Sequence, residues 1–262
     1  MPLSPHEWHA RYTRQAGWTK PLRRYLFDRC KLQETKMILD VGSGTGALEA
    51  GAGELSPDFT GSITGLDINL ENLVYAKSTD AQASWVQGDA LHLPLPSGQF
   101  DMAFCHFLLL WVQDPLHALV EMRRVTRPGG FVLALAEPDY GGRLDFPPEL
   151  EILGSWQRAS LRRQGANPII GRRLGWLLHN AGLVEVETGV LGAQWQDIPS
   201  RDEIESEWSV LHNDLELLLG SGDEGHWQID FDKLKRLDET SWRQGERVLF
   251  VPTFYAIGKK PR

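Results

Sequence analysis

Cysteine is nearly missing from this 262-residue chain, which holds only Cys30 and Cys105. Two are too few for a disulfide framework or a cysteine-ligated zinc site. No apolar run approaches the roughly 20 residues a helix needs to span a bilayer. The first residues, Met-Pro-Leu-Ser-Pro-His-Glu-Trp, lack the basic-then-apolar layout of a secretory signal. Positive charge is also short. The chain has 27 Lys and Arg against 35 Asp and Glu, a net of −8, which weighs against a nucleic-acid partner. There is no internal repeat and no low-complexity tract. The expectation is a reduced, cytoplasmic, globular protein with no membrane or nucleic-acid role, long enough for one large α/β domain or a domain plus a sizeable insertion.

The charge that is present is unevenly placed. Residues 197–246 carry fourteen acids and five bases, while residues 1–36 carry eight bases and three acids. The acidity therefore sits in one late segment, where a solvated helical face accounts for most of it.

Apolar runs and breakers order the rest. Two helices are expected over residues 5–33, the second with Thr19 as N-cap and Pro21 in its first turn. Met37 to Val41 is a short apolar run that stops at glycines, as a buried parallel strand does. A helix through Leu48 to Leu55, a strand at Ile63 to Asp67 and a helix at Leu70 to Ser78 follow. Strands at Ser84 to Gln87 and Phe100 to Cys105, a helix over about 115–126 and a strand at Phe131 to Ala136 continue the rhythm. This alternation predicts a doubly wound, Rossmann-like α/β fold. Its sheet is read as mostly parallel and seven-stranded, with helices on both faces. Beyond Glu137 come helices near 148–163 and 171–181 and a strand at Leu183 to Val190. A helical insertion at about 200–245 precedes a last strand from Val248 to Gly258, with Pro252 expected to interrupt its ladder.

Asp40-Val41-Gly42-Ser43-Gly44-Thr45-Gly46 joins the first strand to the first helix. Glycines suit a sharp turn that a ligand must approach closely, and a helix N-terminus beyond it favours a carboxylate or phosphate. The loop alone fits a nicotinamide dinucleotide or S-adenosylmethionine (SAM) equally, because Gly42-x-Gly44-x-x-Ala47 also satisfies the dinucleotide pattern. Asp67, at the end of the second strand, can bind both hydroxyls of an adenosine ribose in either case. Asp89 separates them. An acid after the third strand can accept from an adenine amino group, with the Ala90 N–H facing a ring nitrogen, and a dinucleotide domain has no need of it.

The ordered runs ILDVGSGTG, GLDI, GDALHLPLPSGQFD and RVTRPGGFVLALAEPD resemble the class I SAM-dependent methyltransferases. The likeness is nearest to their small-molecule branch, which includes the quinone-biosynthesis C-methyltransferases. It covers about residues 36–137 closely and 171–190 loosely. The resemblance implies one domain over 1–262. Its parts are an N-terminal helical cap (1–35), a SAM-binding half (36–137), a substrate-side half (138–194), a helical lid (195–246) and a last strand (247–262).

The resemblance also implies that Gly42, Ser43, Gly44 and Gly46 lie along the methionine part of SAM, with Asp40 supporting its ammonium group. Asp67 would bind the ribose and Ile68 pack on the adenine, with Asp89 and Ala90 at its edge. Cys105 and His106 would flank the methionine amino group, and Arg127-Pro128-Gly129-Gly130 would be a structural turn. A basic N-terminal helix would close over the SAM carboxylate, with Arg14 and Gln15 the first choices for contact.

His106, Asp139 and Tyr140 follow strands four and five, where a substrate sits in open α/β sheets. They are therefore the candidates to orient or deprotonate an acceptor. Cys105-His106 stands where a magnesium-dependent, catechol-type enzyme would have an acid, so metal-independent transfer is expected. Partners would be a small-molecule acceptor and at most a second copy, the chain being a monomer or homodimer. The alternatives are a SAM-binding protein without turnover and, behind it, an NAD-dependent oxidoreductase. In the lid, Ser200-x-x-Glu203 reads as a capping box. Ile204, Trp208, Leu211, Leu215 and Leu218 form an apolar stripe, and Trp195, Trp208 and Trp227 are expected to give the acceptor an aromatic wall. The plainer reading of the stripe is that it completes a core or a dimer contact.

Overall fold

The computed structural model describes residues 4–48, 59–191, 199–219 and 230–262. They form α1 (Pro5–Trp18), α2 (Lys20–Arg29), β1 (Met37–Val41), β2 (Ser62–Asp67), α3 (Leu70–Thr79), β3 (Ser84–Gln87), β4 (Phe100–Cys105), α4 (Pro115–Val125) and β5 (Thr126–Pro138). After these come β6 (Leu144–Phe146), α5 (Glu151–Arg163), α6 (Leu174–Asn180), β7 (Val184–Leu191), α7 (Arg201–Leu219), α8 (Phe231–Gln244), β8 (Val248–Phe250) and β9 (Thr253–Lys259). The helix expected through Leu48 to Leu55 falls largely outside the described residues.

Seven strands make one sheet in the order β3-β2-β1-β4-β5-β9-β7. The pairs β2–β3, β1–β2, β1–β4 and β4–β5 are parallel, and β7 runs antiparallel to β9. Because β1 and β4 lie side by side, the strand order reverses between them, and that reversal opens a crevice at their carboxyl ends.

The chain divides into two compact units. One comprises Met1–Glu137, Ile170–Leu191 and Thr253–Arg262, the other Pro138–Ile169 and Gly192–Pro252. In the sheet unit, parallel strands covered on both faces must be apolar on both, and Val132 to Ala136 of β5 are all fully buried. One face packs Ile38, Met102, Phe104 and Leu133 against Leu22, Leu26 and Phe27 of α2. In the helical unit, Leu150, Leu153 and Trp156 pack on Trp208, Leu211 and Leu234, with Ile204 at the margin.

The structure corrects three expectations. The last strand is two: Val248 to Phe250 pairs antiparallel with Leu144 to Phe146 in a separate ribbon, and only Thr253 onward joins the main sheet. The break falls at Pro252, which has no N–H to donate. The stretch Thr126 to Gly130 is part of β5, whose register against β4 shifts between Phe100 and Met102. Gly129 and Gly130 there exchange main-chain hydrogen bonds with Lys260. Thr19 is the N-cap residue of α2, as expected, but its side chain makes no cap bond.

Candidate functional site

The glycine loop leaves β1 and turns at once. Gly42, Gly44 and Gly46 have φ of 80°, 57° and 75°, values that glycine alone adopts without strain. Gly42 and Ser43 donate to the Leu66 carbonyl of β2 at 2.7 and 3.0 Å. The Gly44 N–H donates to Asp67 Oδ2 at 2.8 Å, while Asp67 Oδ1 accepts from the Asn69 N–H at 2.8 Å. Burial raises the Asp67 carboxyl above the usual range, and these backbone bonds pull it back.

Ile68, next in sequence, is 69% exposed, an apolar side chain left standing at the strand end. On the adjacent strand, Gly88 donates to the Asp67 carbonyl at 3.0 Å, which brings the half-buried Asp89 and Ala90 to the same rim. Asp89 Oδ1 accepts from the Leu91 N–H at 2.8 Å.

The helical cap is fastened to this loop by residues that sequence reasoning missed. His9 Nδ1 lies 3.0 Å from Thr45 Oγ1, and the Tyr12 ring covers Gly44, where an added Cβ would stand 3.1 Å from it. Burial, then the nearby Asp67 charge, raises the Tyr12 phenol. The spacing His9, Tyr12, Ala16 is one helical stripe, and that periodicity is the signal that could have found them. Arg14 and Gln15 are half-buried on the same helix.

A second fastening involves the end of β4. Thr19 Oγ1 lies 2.8 Å from His106 Nε2, and Arg23 Nη1 donates to Thr19 Oγ1 and to the Ala16 carbonyl, both at 2.5 Å. Arg23 is buried, which pulls its guanidinium down to about 10, although the neighbouring Asp40 charge opposes this. Asp40 itself is 1% exposed. Burial, and then Arg23, hold the His106 ring well below its ordinary pKa, so it is neutral at physiological pH. The Cys105 side chain is fully buried in the sheet, and burial raises its thiol.

Beyond β5, Asp139 is 2% exposed, and its Oδ1 accepts from the Gly141 N–H at 2.8 Å to cap a short turn. Tyr140 is half-buried. These two belong to the helical unit, and His106 to the sheet unit. Trp208, expected from sequence to wall the acceptor, is a core residue whose Nε1 donates to Asp238 at 2.9 Å. Trp195 and Trp227 lie outside the described residues, as do the side chains of Leu215 and Leu218.

A glycine cradle at a β1/β4 switch point, with an acid at the end of each of the next two strands, defines the class I methyltransferase architecture. The groups suit SAM. Glycines at 42, 44 and 46 let the loop turn so that the Gly44 N–H meets the Asp67 carboxylate, and the exposed Ile68 side chain beside that acid can meet a purine.

Residues 39–134 match the family described as Methyltransferase domain, and this part of the chain is a class I SAM-dependent methyltransferase domain. An uncharacterised methyltransferase of Schizosaccharomyces pombe is 35% identical over 162 residues, 56% of each chain. A demethylmenaquinone methyltransferase of Renibacterium salmoninarum is 33% identical over 127 residues, 48% of this chain and 52% of that one. The chain thus spans about half the length of the curated relatives it matches. Among solved structures, the methyltransferase bound by the Trm112 activator in Haloferax volcanii aligns over 100% of both chains, with a TM-score of 0.61 and 18% identity. At that identity the likeness concerns the fold. No helix among the described residues is long and apolar enough to cross a membrane.

Proposed function

We propose that the chain methylates a small-molecule acceptor with SAM, by in-line displacement and without a divalent metal. The observation that carries this reading is the bond from the Gly44 N–H to Asp67, with Asp89 on the adjoining strand end. The loop and both acids are thereby tied into one rim at the switch point. The cofactor, when bound, supplies a methyl group on a sulfonium.

Gly42, Ser43, Gly44 and Gly46 hold its methionine portion, with Asp40 behind them, and Arg14 and Gln15 serve its carboxylate from α1. Asp67 takes the ribose, Ile68 the adenine face, and Asp89 and Ala90 the adenine edge. The main chain of Cys105 and His106 borders the methionine amino group. Holding an acceptor about 3–3.5 Å from the methyl in line can be worth roughly 7–11 kcal/mol, so placement is the main task of the protein.

His106, at the end of β4 with its Nε2 beside Thr19 Oγ1, is the candidate from the sheet unit to orient or deprotonate the acceptor. Asp139 and Tyr140 are the candidates from the helical unit. The segment 195–246 is read as an acceptor-side lid, and the acidic composition of residues 197–246 disfavours phosphorylated or nucleic-acid acceptors. Two buried free thiols fit a reduced, cytoplasmic setting. The test is release of S-adenosylhomocysteine (SAH) during incubation of the chain with SAM and fractionated metabolite extract, with EDTA present. Release in at least one fraction is expected. Binding of SAM without release in any fraction would instead mark a non-catalytic SAM-binding protein.

A further inference from the structure

Glu137 closes the most apolar strand of the sheet and is fully buried. Its Oε1 accepts from the Leu108 and Leu109 N–H groups at 3.0 and 2.9 Å, and its Oε2 from the Leu110 N–H at 3.3 Å. No ion pair to Glu137 is made among the described residues. An unpaired buried carboxyl is costly unless it serves as an acceptor or stays neutral.

The turn that it grips is a strained one. Phe107 has a φ of 53°, the left-handed region that an aromatic side chain rarely adopts, and its N–H donates to the Ala136 carbonyl at 2.9 Å. One residue later, the Leu108 side chain presses on the glycine loop: a Cβ on Gly42 would fall 2.7 Å from Leu108 Cδ1. One carboxyl group therefore fixes the turn after β4, and that turn backs the loop after β1, on either side of the switch point.

We propose that Glu137 is a positioning residue for the cofactor cleft. Its Oε1 holds the turn over residues 106–110 so that Leu108 supports Gly42 and His106 stays at the mouth of the crevice. The inference rests on the reading that the glycine loop holds SAM. Burial pushes the Glu137 carboxyl up to about 8, against the pull of the three amide bonds. The titratable groups that sense it are Cys105 on β4 and, beside that thiol, Asp40 on β1, which faces Arg23 of α2. Both oxygens accept from the turn, Oε1 from the Leu108 and Leu109 amides and Oε2 from the Leu110 amide, so the carboxyl group serves it as an acceptor.

The experiment compares E137L, E137Q, L108A and D67A by calorimetric titration with SAH and by hydrogen exchange at the Leu108–Leu110 amides. E137L removes the acceptor and is expected to weaken SAH binding about 10- to 100-fold while exposing those amides to exchange. E137Q keeps an oxygen for the Leu108 and Leu109 amides while losing the one for Leu110, so it should restore most of the affinity and the protection at Leu108 and Leu109, which a role confined to general packing would not require. L108A leaves the amide bonds in place and is expected to weaken binding several-fold, which keeps the idea open to test if E137L does not fold. Wild-type affinity in E137L or L108A, or a loss in E137Q as large as in E137L, would overturn the proposal. D67A separates the two readings. Weak binding there with wild-type E137L ends only the Glu137 role, whereas wild-type affinity in D67A removes the site reading itself.

Discussion

In the sheet unit, buried ionisable groups gather at the carboxyl ends of the strands, whereas in the helical unit they form a closed ionic network. Arg247 donates to Asp145 at 2.7 Å and to Asp238 at 2.6 Å. Arg143 donates to Asp145 at 2.7 and 2.9 Å and to Gln157 at 2.6 Å, and Trp208 completes the set on Asp238. The four charged side chains are at most 10% exposed, and together they tie β6, α5, α7 and α8 to the start of β8.

Among the described residues Glu137 in the sheet unit has no such closure and accepts from main-chain amides, and Arg23 and His106 are both shifted by burial. The paired charges of the helical unit hold its own elements together. Ionisable groups that are buried but held by backbone or by single neighbours are more often found where a ligand or a proton is handled.

This contrast can be broken from either side. The largest effect is expected from R247M, which leaves Asp145 and Asp238 short of a cation and should cost about 3–5 kcal/mol. Urea unfolding should show that loss, while SAH affinity, a property of the sheet unit, stays within a few-fold of wild type. An equal loss of SAH affinity would mean that the two units do not divide the work.

The next effect is in pH. The Glu137 carboxyl is raised from 4.5 to about 8, so the folded state holds that proton more tightly than the unfolded chain does. Its contribution to stability is full below about pH 4.5 and is lost as pH climbs through 8, on the order of a few kcal/mol. Gln cannot titrate, so the melting temperature of E137Q should gain on wild type between pH 6 and 9. A constant difference would show that Glu137 is already ionised in the folded protein. Smaller again is W208F, which keeps the ring in its cluster but strips Asp238 of one donor, at about 1–3 kcal/mol by denaturant unfolding. The smallest pair is S4A and S200A. Each removes a capping box, Ser4 with Glu7 and Ser200 with Glu203, at about 1 kcal/mol.

Legibility follows the same division. The runs Met37 to Val41 and Phe100 to Cys105 are legible to the residue, because strands covered on both faces leave long apolar runs with glycine or polar ends. Thr19 and Trp208 are visible by position but not by role. Thr19 has the place of a cap and instead reaches His106. Trp208 has the character of ligand surface and instead lies in a core, because helical spacing names the buried stripe without naming what buries it. The ribbon of β6 and β8 leaves no trace. Leu144 and Phe146 face outward at 60% and 48% exposure while Asp145 points inward, an inversion of the usual pattern explained by its bonds to Arg143 and to the distant Arg247. Glu137 does leave a signal, an acid at the end of an Ala-Leu-Ala run, but its partners are main-chain groups that sequence does not distinguish.

The central claim, that one rim made by the glycine loop, Asp67 and Asp89 holds the cofactor, is tested most directly by calorimetric titration of SAH into wild type, D67A and D89A. A loss of roughly 1.5–3 kcal/mol of binding free energy is expected for D67A, the scale of a charge-assisted hydrogen bond. A smaller loss is expected for D89A, with both variants melting as wild type does. Wild-type affinity in D67A, whatever D89A shows, would contradict the account.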